Sequence, residues 1–299
     1  MTAKESINKM ETSRRIIEVK YYAGIVTYNP DIKRLEENID AVSKQVELVI
    51  ICDNASENLN EITKLTKKYQ NIIIIRNKNN YGIAYALNRI FKKANEDGIR
   101  WVLTLDQDTI IPDQMIEKFS RFVDERTIGI ICPLFRDPKI DYGSINTNDE
   151  DVEEVSQAIT SGCLTNVEAW EKVEGFDEKM FIDFVDYDFC YRIKKDNYKI
   201  IEIKNVVLNH TIGNAKSISF FGKKVIVTNH SDFRKYYIVR NYIYYTKKNN
   251  IENKELKKAM LKKVIKTIIF ESGRFKTAKA YLKGWIDGNK ICRRKGWQK

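Results

Sequence analysis

Residues 101–108 of the chain read Trp-Val-Leu-Thr-Leu-Asp-Gln-Asp, an apolar run that ends in two carboxylates one residue apart. The apolar part predicts a buried β-strand over 101–105. A strand that ends in such a pair can direct hard oxygen ligands at a divalent cation, which keeps open positions for the phosphates of a nucleotide. Asp106 and Asp108 are therefore candidates for a metal site at a strand end.

Three similar apolar runs precede this strand, and amphipathic segments separate them. The runs cover Ala23–Tyr28, Val46–Cys52 and Ile72–Ile75. In each of the three intervening segments, apolar residues recur at helical spacing, which predicts a helix. These residues are Leu35, Ile39 and Val42 in the first segment, Ile62 and Leu65 in the second, and Ile83, Leu87, Ile90, Phe91 and Ala94 in the third. This alternation predicts an α/β fold with a parallel sheet that helices cover on both faces.

Three polar residues lie where these strands end: Thr27, Asp53 and Asp106. Ligands of parallel α/β sheets bind in the crevice beyond the carboxyl ends of the strands, so these side chains are expected to converge. An alternative for Asp53-Asn54-Ala55-Ser56 is a turn and helix cap without a ligand, because Asp, Asn and Ser favour such positions. The sequence leaves both interpretations open.

The alternation fades after about residue 135. A polar stretch at 141–154 predicts a surface loop or an irregular hairpin. A short helix is expected at 167–172, and two strand-like runs follow at 198–203 and 206–208. The chain shows no internal repeat and no low-complexity segment.

Beyond Val227 the chain is predicted to be helical, with breaks at Gly273, Gly284 and Gly288. The charge also changes in this region. Residues 247–299 hold 17 Lys and Arg against 4 Asp and Glu, whereas the preceding 246 residues carry a net charge of −2. A basic tail on a near-neutral body argues against a nucleic-acid-binding protein and for a tail that meets an anionic surface.

Length and composition fit three segments: a polar N-terminal extension (1–20), a catalytic domain (21–227) and a helical, basic C-terminal region (228–299). No apolar stretch approaches the ~18 residues that span a bilayer, and the first residues do not resemble a signal sequence, so a cytoplasmic location is expected. The five cysteines contain no Cys-x-x-Cys pair. They are expected to be reduced and mostly buried, with neither a disulfide frame nor a zinc site.

An ordered set of motifs runs from about residue 22 to about residue 245, and the set is far more specific than any single member. The motifs are Gly24–Pro30, Asp53–Ser56, Asn80–Ala84 with Ala86 and Asn88, Asp106–Asp108, Ser161–Cys163, Gly175–Glu178, Phe181–Arg192, His210, Tyr236–Tyr237 and Arg240–Tyr242. In this order they resemble the family 2 glycosyltransferases of the GT-A fold. Within that family they are most similar to bacterial rhamnosyltransferases that use dTDP-rhamnose.

The resemblance implies a donor site at the first strand ends. Asp53 and the turn Thr27-Tyr28-Asn29 are expected to hold the base and ribose, because a carboxylate accepts from the base N3–H and a turn offers backbone groups. Asn80 and Gly82 open a helix beside the same crevice, where free N–H groups favour anions; the alternative is a helix N-terminus without a ligand. The remaining donor-binding residues that the resemblance implies are Asp106, Gln107 and Gly162.

The resemblance also implies different roles for the carboxylates of Asp106 and Asp108. Asp108 is expected to bind Mg²⁺ or Mn²⁺ directly, and Asp106 to contact the ribose or to support the metal indirectly. The cation would bridge the donor phosphates and offset the charge on the departing nucleoside diphosphate. His210 matches the family's metal- or diphosphate-facing histidine, although a lone His before Thr and Gly is as readily a surface or capping residue.

Three carboxylates on an aromatic segment are candidates for a catalytic base: Asp183, Asp186 and Asp188. A positioned carboxylate suffices to deprotonate an acceptor hydroxyl, and the resemblance aligns Asp186 with the family's base. Val185 stands where the family usually has Glu, so Asp183 or Asp188 could support the base. Aspartates at a helix start are also stabilised by the helix dipole without a catalytic role. One base and one metal fit a single displacement with inversion, which turns a β-linked L-rhamnosyl donor into an α-linked product.

The C-terminal region contains an amphipathic basic helix, in which Leu261, Val264, Ile265, Ile268 and Ile269 repeat at helical spacing. A second basic segment follows, with Trp285, Arg293, Arg294, Lys295 and Trp297. The simplest interpretation is packing on the catalytic domain, but the charge and the aromatic residues also suit peripheral binding to anionic lipid. With the resemblance, this implies a glycan or lipid-linked glycan acceptor at the inner face of the cell membrane, in cell-surface polysaccharide synthesis.

Arg240 lies in a segment at 233–245 that holds six aromatic residues, and it is expected to contact the acceptor or the donor diphosphate. Most of that segment is expected to pack the tail onto the core. Two alternatives to a dTDP-rhamnose transferase are a transferase of a UDP-sugar and a sugar-1-phosphate nucleotidyltransferase. The second is disfavoured because Asn29-Pro30-Asp31 follows the first strand where such enzymes carry a Gly-rich basic loop. No motif indicates a nucleic-acid partner.

Overall fold

The four apolar runs of the first half form neighbouring parallel strands. The computed structural model describes residues 19–136, 151–209, 216–220, 223–227, 229–271 and 273–292. The strands are β1 (Tyr21–Thr27), β2 (Leu48–Asp53), β3 (Ile72–Arg76) and β4 (Trp101–Asp106). β1 pairs in parallel with β2 and β4, and β2 pairs in parallel with β3. The predicted strands are therefore confirmed.

Three helices connect these strands and cover both faces of the sheet: α1 (Ile32–Val42), α2 (Leu59–Thr66) and α3 (Ile83–Glu96). Alternate residues of each strand point to opposite faces. Ile51 of β2 packs in the same cluster as Leu35 and Ile62, whereas Ile50 packs with Ile90 on the other face. The helical faces predicted from spacing are buried, apart from the partly buried Ile83.

The second half of the sheet is mixed. Its strands are β5 (Ile128–Arg136), β6 (Val152–Glu154), β7 (Cys163–Asn166) and β8 (Lys199–Asn209). The order is β3-β2-β1-β4-β7-β5-β8-β6, in which β7 is antiparallel to β4 and β5 while β5 and β8 are parallel. The two runs expected at 198–203 and 206–208 form the single strand β8, because a register shift against Pro133 and Leu134 of β5 keeps both runs in one ladder.

Three further helices follow β4, β7 and the segment before residue 185: α4 (Met115–Ser120), α5 (Val167–Lys172) and α6 (Val185–Lys195). The short helix expected at 167–172 is confirmed as α5. Two strands that the sequence did not predict, β9 (Lys216–Phe220) and β10 (Lys223–Val227), form an antiparallel pair. Residues 1–18 of the N-terminal extension and 141–150 of the polar stretch lie outside the described residues.

The C-terminal region is helical, as predicted: α7 (Asp232–Lys248), α8 (Lys254–Phe270) and α9 (Arg274–Ile291). Gly273 lies at the expected break, but the breaks expected at Gly284 and Gly288 are wrong, since both lie inside α9. A Cβ on Gly288 would come within 2.7 Å of the Arg240 carbonyl oxygen, and one on Gly284 would overlap the Tyr236 carbonyl. These glycines allow α9 to pack closely on α7.

The apolar stripe of α8 is divided between the core and the surface. Met260, Val264 and Ile268 pack against α7 and α9, as the simplest interpretation expects. Leu261 and Ile265 remain 59% and 47% exposed. The described part of the chain contains no helix with the length and hydropathy to cross a membrane. Cys52, Cys132, Cys163 and Cys190 are buried, as predicted.

Candidate active site

A cavity of about 810 Å³ opens beyond the carboxyl ends of β1 and β4. This is the position where ligands bind in open α/β sheets. Loops after β1, β2, β3 and β4 form one side, and the segment before α6, together with α7 and α8, forms the other. The polar residues of its lining include Tyr28, Asn54, Asn80, Asp106, Gln107, Asp108, Ser161, Asp183, Asp186, Arg234 and Lys263.

Thr27 and Asp53 lie beneath the cavity and do not line it. Both are fully buried. The Asp53 carboxylate accepts hydrogen bonds from the Thr27 hydroxyl at 3.0 Å and from the Ser56 backbone N–H at 3.0 Å. Asn29 also lies outside the lining, and its side-chain oxygen accepts from the Glu57 N–H at 2.7 Å. These residues join two loops and so shape the floor, while Tyr28 contributes to the lining itself.

Asn80 and Gly82 line the cavity at the start of α3. The Asn80 side-chain oxygen accepts from the Gly82 N–H at 3.0 Å, and Gly82 has a φ of 90°. The next N–H, of Ile83, donates to the Phe181 carbonyl at 2.8 Å. A Cβ on Gly82 would come within 2.7 Å of the Phe181 Cα. Glycine is therefore required both by the left-handed conformation and by the close approach of the opposite wall.

The segment Asp106-Gln107-Asp108 is held by its backbone and by Gln107. The Asp106 N–H donates to the Ser161 hydroxyl at 2.8 Å. Gln107 Oε1 accepts from the Tyr28 N–H at 2.9 Å, and the Asp108 carbonyl accepts from Arg34 Nε at 2.8 Å. Gly162, beside Ser161, is buried against Leu208 and does not line the cavity. The exposed Asp108 carboxylate is thus presented at the rim of the cavity on a supported turn.

The donor set at this turn fits a magnesium or manganese ion. Among the described residues, no group of three or more His, Cys, Asp and Glu side chains could hold a metal. Mg²⁺ is commonly bound by one or two carboxylates together with substrate phosphates, so Asp106 and Asp108 suffice once a donor diphosphate is present. His210, the third predicted contact, lies outside the described residues.

Asp183 and Phe184 form a strained turn in the opposite wall. Their φ angles are 64° and 65°, in the left-handed region that residues with a side chain rarely adopt. The fully buried Asn241 holds this turn, because its amide donates to the carbonyls of Ile182 at 2.8 Å and Asp183 at 2.9 Å. The Asp183 carboxylate forms an ion pair with Arg234 at 3.1 Å. Strain of this kind persists at functional sites where surrounding contacts enforce it.

Asp186 lies in the first turn of α6, directly after this strained turn, and has the properties of a general base. Burial raises its pKa, a hydrogen bond from the Tyr187 N–H opposes this, and the nearby carboxylates of Asp183 and Asp106 raise it further, to about 6. A carboxylate with a pKa close to neutrality accepts a proton more effectively than an ordinary aspartate. Asp186 and Asp106 line the same cavity, close enough for their charges to interact.

Asp188, the other carboxylate that the sequence offers as support for the base, lies outside the cavity. It is fully buried, and its oxygens accept from Arg192 Nε at 2.8 Å, Lys248 Nζ at 2.9 Å and Asn249 Nδ2 at 3.0 Å. These contacts tie α6 to the end of α7. The structure thus gives Asp188 a stabilising role.

Replacing Asp188 with alanine is expected to lower the free energy of unfolding by about 3 kcal/mol, since the partly buried Arg192 would lose its carboxylate partner and Lys248 would keep only its ion pair with Asp177. Urea unfolding followed by circular dichroism measures the loss. Glu154→Ala is the control, because Glu154 makes an exposed ion pair with Lys194 of the same helix. That variant should change stability by less than about 1 kcal/mol. Equal losses in both variants would contradict the assignment.

Arg240 does not line the cavity. Its guanidinium donates to the Lys179 carbonyl at 2.9 Å and to Asn241 Oδ1 at 2.7 Å. Two basic residues without a predicted role, Arg234 and Lys263, line the cavity instead. The sequence could have indicated that Lys263 shares a helical face with other lining residues. The lining residues of α8 repeat at i, i+3, i+4 and i+7: Leu256, Ala259, Met260 and Lys263.

Comparisons with known proteins agree with this architecture. Residues 22–185 match the model of glycosyl transferase family 2. The dTDP-rhamnosyl transferase RfbF of Shigella flexneri is 31% identical over 245 residues, which cover 77% of this chain and 81% of that protein. Poly-beta-1,6-N-acetyl-D-glucosamine synthase of Staphylococcus aureus is 38% identical over 124 residues, which cover 40% of this chain and 27% of that protein.

Solved structures show the same fold. A mannosyltransferase from Pyrobaculum calidifontis, PcManGT, in complex with GDP-Man and Mn²⁺, superposes with a TM-score of 0.58 at 14% identity and covers 98% of this chain and 88% of its own. Residues 1–349 of S. aureus TarS superpose with a TM-score of 0.57 at 13% identity and cover 92% and 81%. The fold is GT-A, as the sequence predicted, and the chain belongs to glycosyl transferase family 2.

Proposed function

We propose that the protein transfers L-rhamnose from dTDP-rhamnose to a hydroxyl group of a glycan, with inversion at the anomeric carbon. The observation that carries this proposal is that one cavity is lined both by Asp106 and Asp108, which follow β4, and by Asp186 of α6. The similarity to a protein named dTDP-rhamnosyl transferase supports the choice of donor. Family membership leaves a UDP-sugar as the alternative donor and removes the nucleotidyltransferase from consideration.

In the proposed reaction, Asp186 accepts the proton of the acceptor hydroxyl as the oxygen attacks the anomeric carbon. Tyr28, Asn80 and Gln107 line the side on which the nucleotide would lie, above the floor that Thr27 and Asp53 shape. Asp108, with Asp106, would hold Mg²⁺ or Mn²⁺, and the bound ion supplies charge stabilisation to the departing diphosphate. A single displacement of this kind needs one base, and no second nucleophilic carboxylate is required.

A panel of nucleotide sugars tests the donor. The protein is incubated with dTDP-rhamnose, UDP-glucose, UDP-GlcNAc and GDP-mannose in the presence of Mg²⁺ or Mn²⁺, and nucleoside diphosphate release is followed. Release from dTDP-rhamnose well above that from the other donors is expected. Preferential release from a UDP-sugar would replace the proposed donor, while release from none of them would contradict the proposed activity.

The raised pKa of Asp186 predicts the pH dependence of transfer. The base must be ionised to accept a proton, so kcat/KM should fall as the pH decreases through about 6, the value to which burial and the neighbouring carboxylates raise its pKa. Initial rates at subsaturating donor and acceptor, measured from about pH 5 to about pH 8, provide the profile. A half-maximum near 4, the ordinary value for aspartate, would show that another group or another step controls the rate.

The acceptor is proposed to be linked to a lipid, which places the protein on the inner face of the cell membrane. Leu261 and Ile265 of α8 and Leu282 and Trp285 of α9 are 47–59% exposed, which is unusual for large apolar side chains. Lys257, Lys258 and Lys262 are exposed in the same region. Exposed apolar side chains on helices that also expose lysines suit the interface of an anionic bilayer. Arg293, Arg294, Lys295 and Trp297 of the basic segment lie outside the described residues.

Replacing Leu261, Ile265 and Leu282 with glutamine is expected to release the protein from vesicles that contain phosphatidylglycerol. Each replaced side chain is about half exposed, so the melting temperature should change little. Sedimentation with vesicles measures the bound fraction, and Val152→Gln, at a 39% exposed position on β6, is the control. Equal sedimentation of the triple variant and the unmodified protein would contradict membrane binding through this surface.

A further inference from the structure

Lys263 is a charged side chain in the cavity wall without a partner in the described parts of the chain. It projects from α8 into the lining and is only partly exposed. No carboxylate of the described residues lies within ion-pair distance of its ammonium group, and that group donates no hydrogen bond to them. An ammonium group that has lost water without gaining a partner is costly, so this position favours a bound anion.

The carboxylates closest to Lys263 are occupied by other cations. Asp183 forms its ion pair with Arg234, and Glu271 forms a buried pair with Lys235 at 2.7 Å. Burial lowers the pKa of Lys263, and Arg234 and Lys266 lower it further, while Asp183 and Glu271 oppose that change.

Arg234 is the second cation of this wall. The Asp183 carboxylate engages its Nε and Nη2, so Nη1 still carries donors that make no hydrogen bond to a described residue. A guanidinium and an ammonium that line the same cavity suit phosphate binding, because they combine directed hydrogen bonds with a point charge. Arg234 and Lys263 together therefore form a candidate phosphate subsite.

The contacts of Arg234 indicate which substrate the subsite would bind. Asp186 is close enough to Asp106 and to Asp183 for both carboxylates to raise its pKa. Arg234 forms its ion pair with Asp183, and Lys263 lines the same cavity. In an inverting displacement the base and the attacking hydroxyl lie on the face of the sugar opposite the leaving group. Because the leaving diphosphate belongs with Asp106 and Asp108, a phosphate at Arg234 and Lys263 belongs to the other substrate.

The surroundings of Lys263 indicate what this phosphate carries. Leu256, Ala259 and Met260 line the cavity on the same face of α8, and Phe233 and Ile238 of α7 line it nearby. Phe233 is 55% exposed, so the apolar lining continues to the surface. A ligand that satisfies both features has an anionic group beside a hydrocarbon chain.

We propose that Arg234 and Lys263 bind the phosphate of a lipid-phosphate-linked acceptor, with the first part of its hydrocarbon chain against Leu256 and Met260. This inference rests on the proposed function, since it names the acceptor class of the same site. α8 then has two roles: its inner face contacts the acceptor, and its outer face, with Leu261 and Ile265, lies toward the membrane that contains the rest of the lipid.

Farnesyl diphosphate is a suitable probe, because it carries the two features without any glycan. Its binding to the full chain is measured by calorimetry with Mg²⁺ present, once without nucleotide and once with dTDP in excess. The unmodified protein should bind it equally in both conditions. Lys263→Gln should weaken binding about tenfold, as expected for the loss of one charge-assisted hydrogen bond. Lys263→Arg keeps the positive charge and should retain most of the affinity. A loss of affinity in Lys263→Gln alone can then be assigned to the missing charge and not to misfolding.

The matched control is Lys262→Gln, which removes the same charge from the adjacent, exposed position on α8. It should leave the affinity for farnesyl diphosphate unchanged. Equal weakening by Lys262→Gln, absence of binding to the unmodified protein, or competition by dTDP would each overturn the inference, and competition would assign the two cations to the donor diphosphate. Failure of dTDP itself to bind would contradict the proposed donor, while the comparison without nucleotide would still test the subsite.

Discussion

Replacing Asp186 with asparagine should lower kcat for sugar transfer by about 10³-fold, because the amide preserves the shape of the side chain but cannot accept the acceptor proton. Binding of dTDP, measured by calorimetry, should be unchanged. The variant should also be at least as stable as the unmodified protein at pH 8. The pKa of Asp186 is raised in the folded state, so its ionised form disfavours folding above about 6, and a neutral amide removes that cost.

Asp183→Asn distinguishes the base from its neighbour. Asp183 lines the same cavity but is paired with Arg234, so its loss should alter acceptor binding more than the chemical step. A raised KM for the acceptor with little change in kcat is expected. If Asp186→Asn transferred sugar at a near-normal rate and Asp183→Asn did not, Asp183 would be the base.

Replacing Asp108 with alanine should lower the transfer rate by about 10²-fold or more, since the variant loses the exposed carboxylate of the proposed metal site. EDTA should stop transfer by the unmodified protein, and added Mn²⁺ should restore it. A readout independent of turnover is Mn²⁺ binding in the presence of dTDP, followed by electron paramagnetic resonance, which should weaken in the variant.

Asp113→Ala is the matched control for Asp108. Asp113 is exposed in the loop that follows the same strand, but it does not line the cavity. Its replacement should leave the transfer rate and Mn²⁺ binding unchanged. Normal Mn²⁺ binding by Asp108→Ala would contradict the assignment of this carboxylate to the metal.

The first half of the fold could be predicted from the sequence because its signals are local. The apolar run at 101–105 and the helical spacing of Leu87, Ile90 and Phe91 arise within single elements, and the parallel topology follows from their alternation. The same topology places Asp106 at the edge of a crevice. The position of β7 between β4 and β5 could not be predicted in this way, since its pairing joins residues about 60 positions apart along the chain.

The roles of individual side chains depended on such distant contacts. Asp186 and Asp188 are two residues apart and look equivalent in the sequence, yet one lines the cavity and the other is paired with Lys248, 60 residues away. Asp53 lies at a strand end as expected, but its carboxylate accepts hydrogen bonds from the Thr27 hydroxyl and the Ser56 N–H. Arg240 and Arg234 share one aromatic segment, and only their positions around α7 decide which reaches the cavity.

The hydrogen bonds from Asn241 to the carbonyls of Ile182 and Asp183 set a limit on how the enzyme can be recombined with its relatives. A chimera joined near residue 227 would take the strained turn at Asp183 and Phe184 from one parent and the amide that supports it from the other. A crossover placed after Asn249 keeps the turn, Asn241 and the Asp188–Lys248 pair in one parent. Exchange of α8 and α9 beyond that crossover would then be the practical route to altering acceptor choice while leaving the chemistry of Asp186 intact.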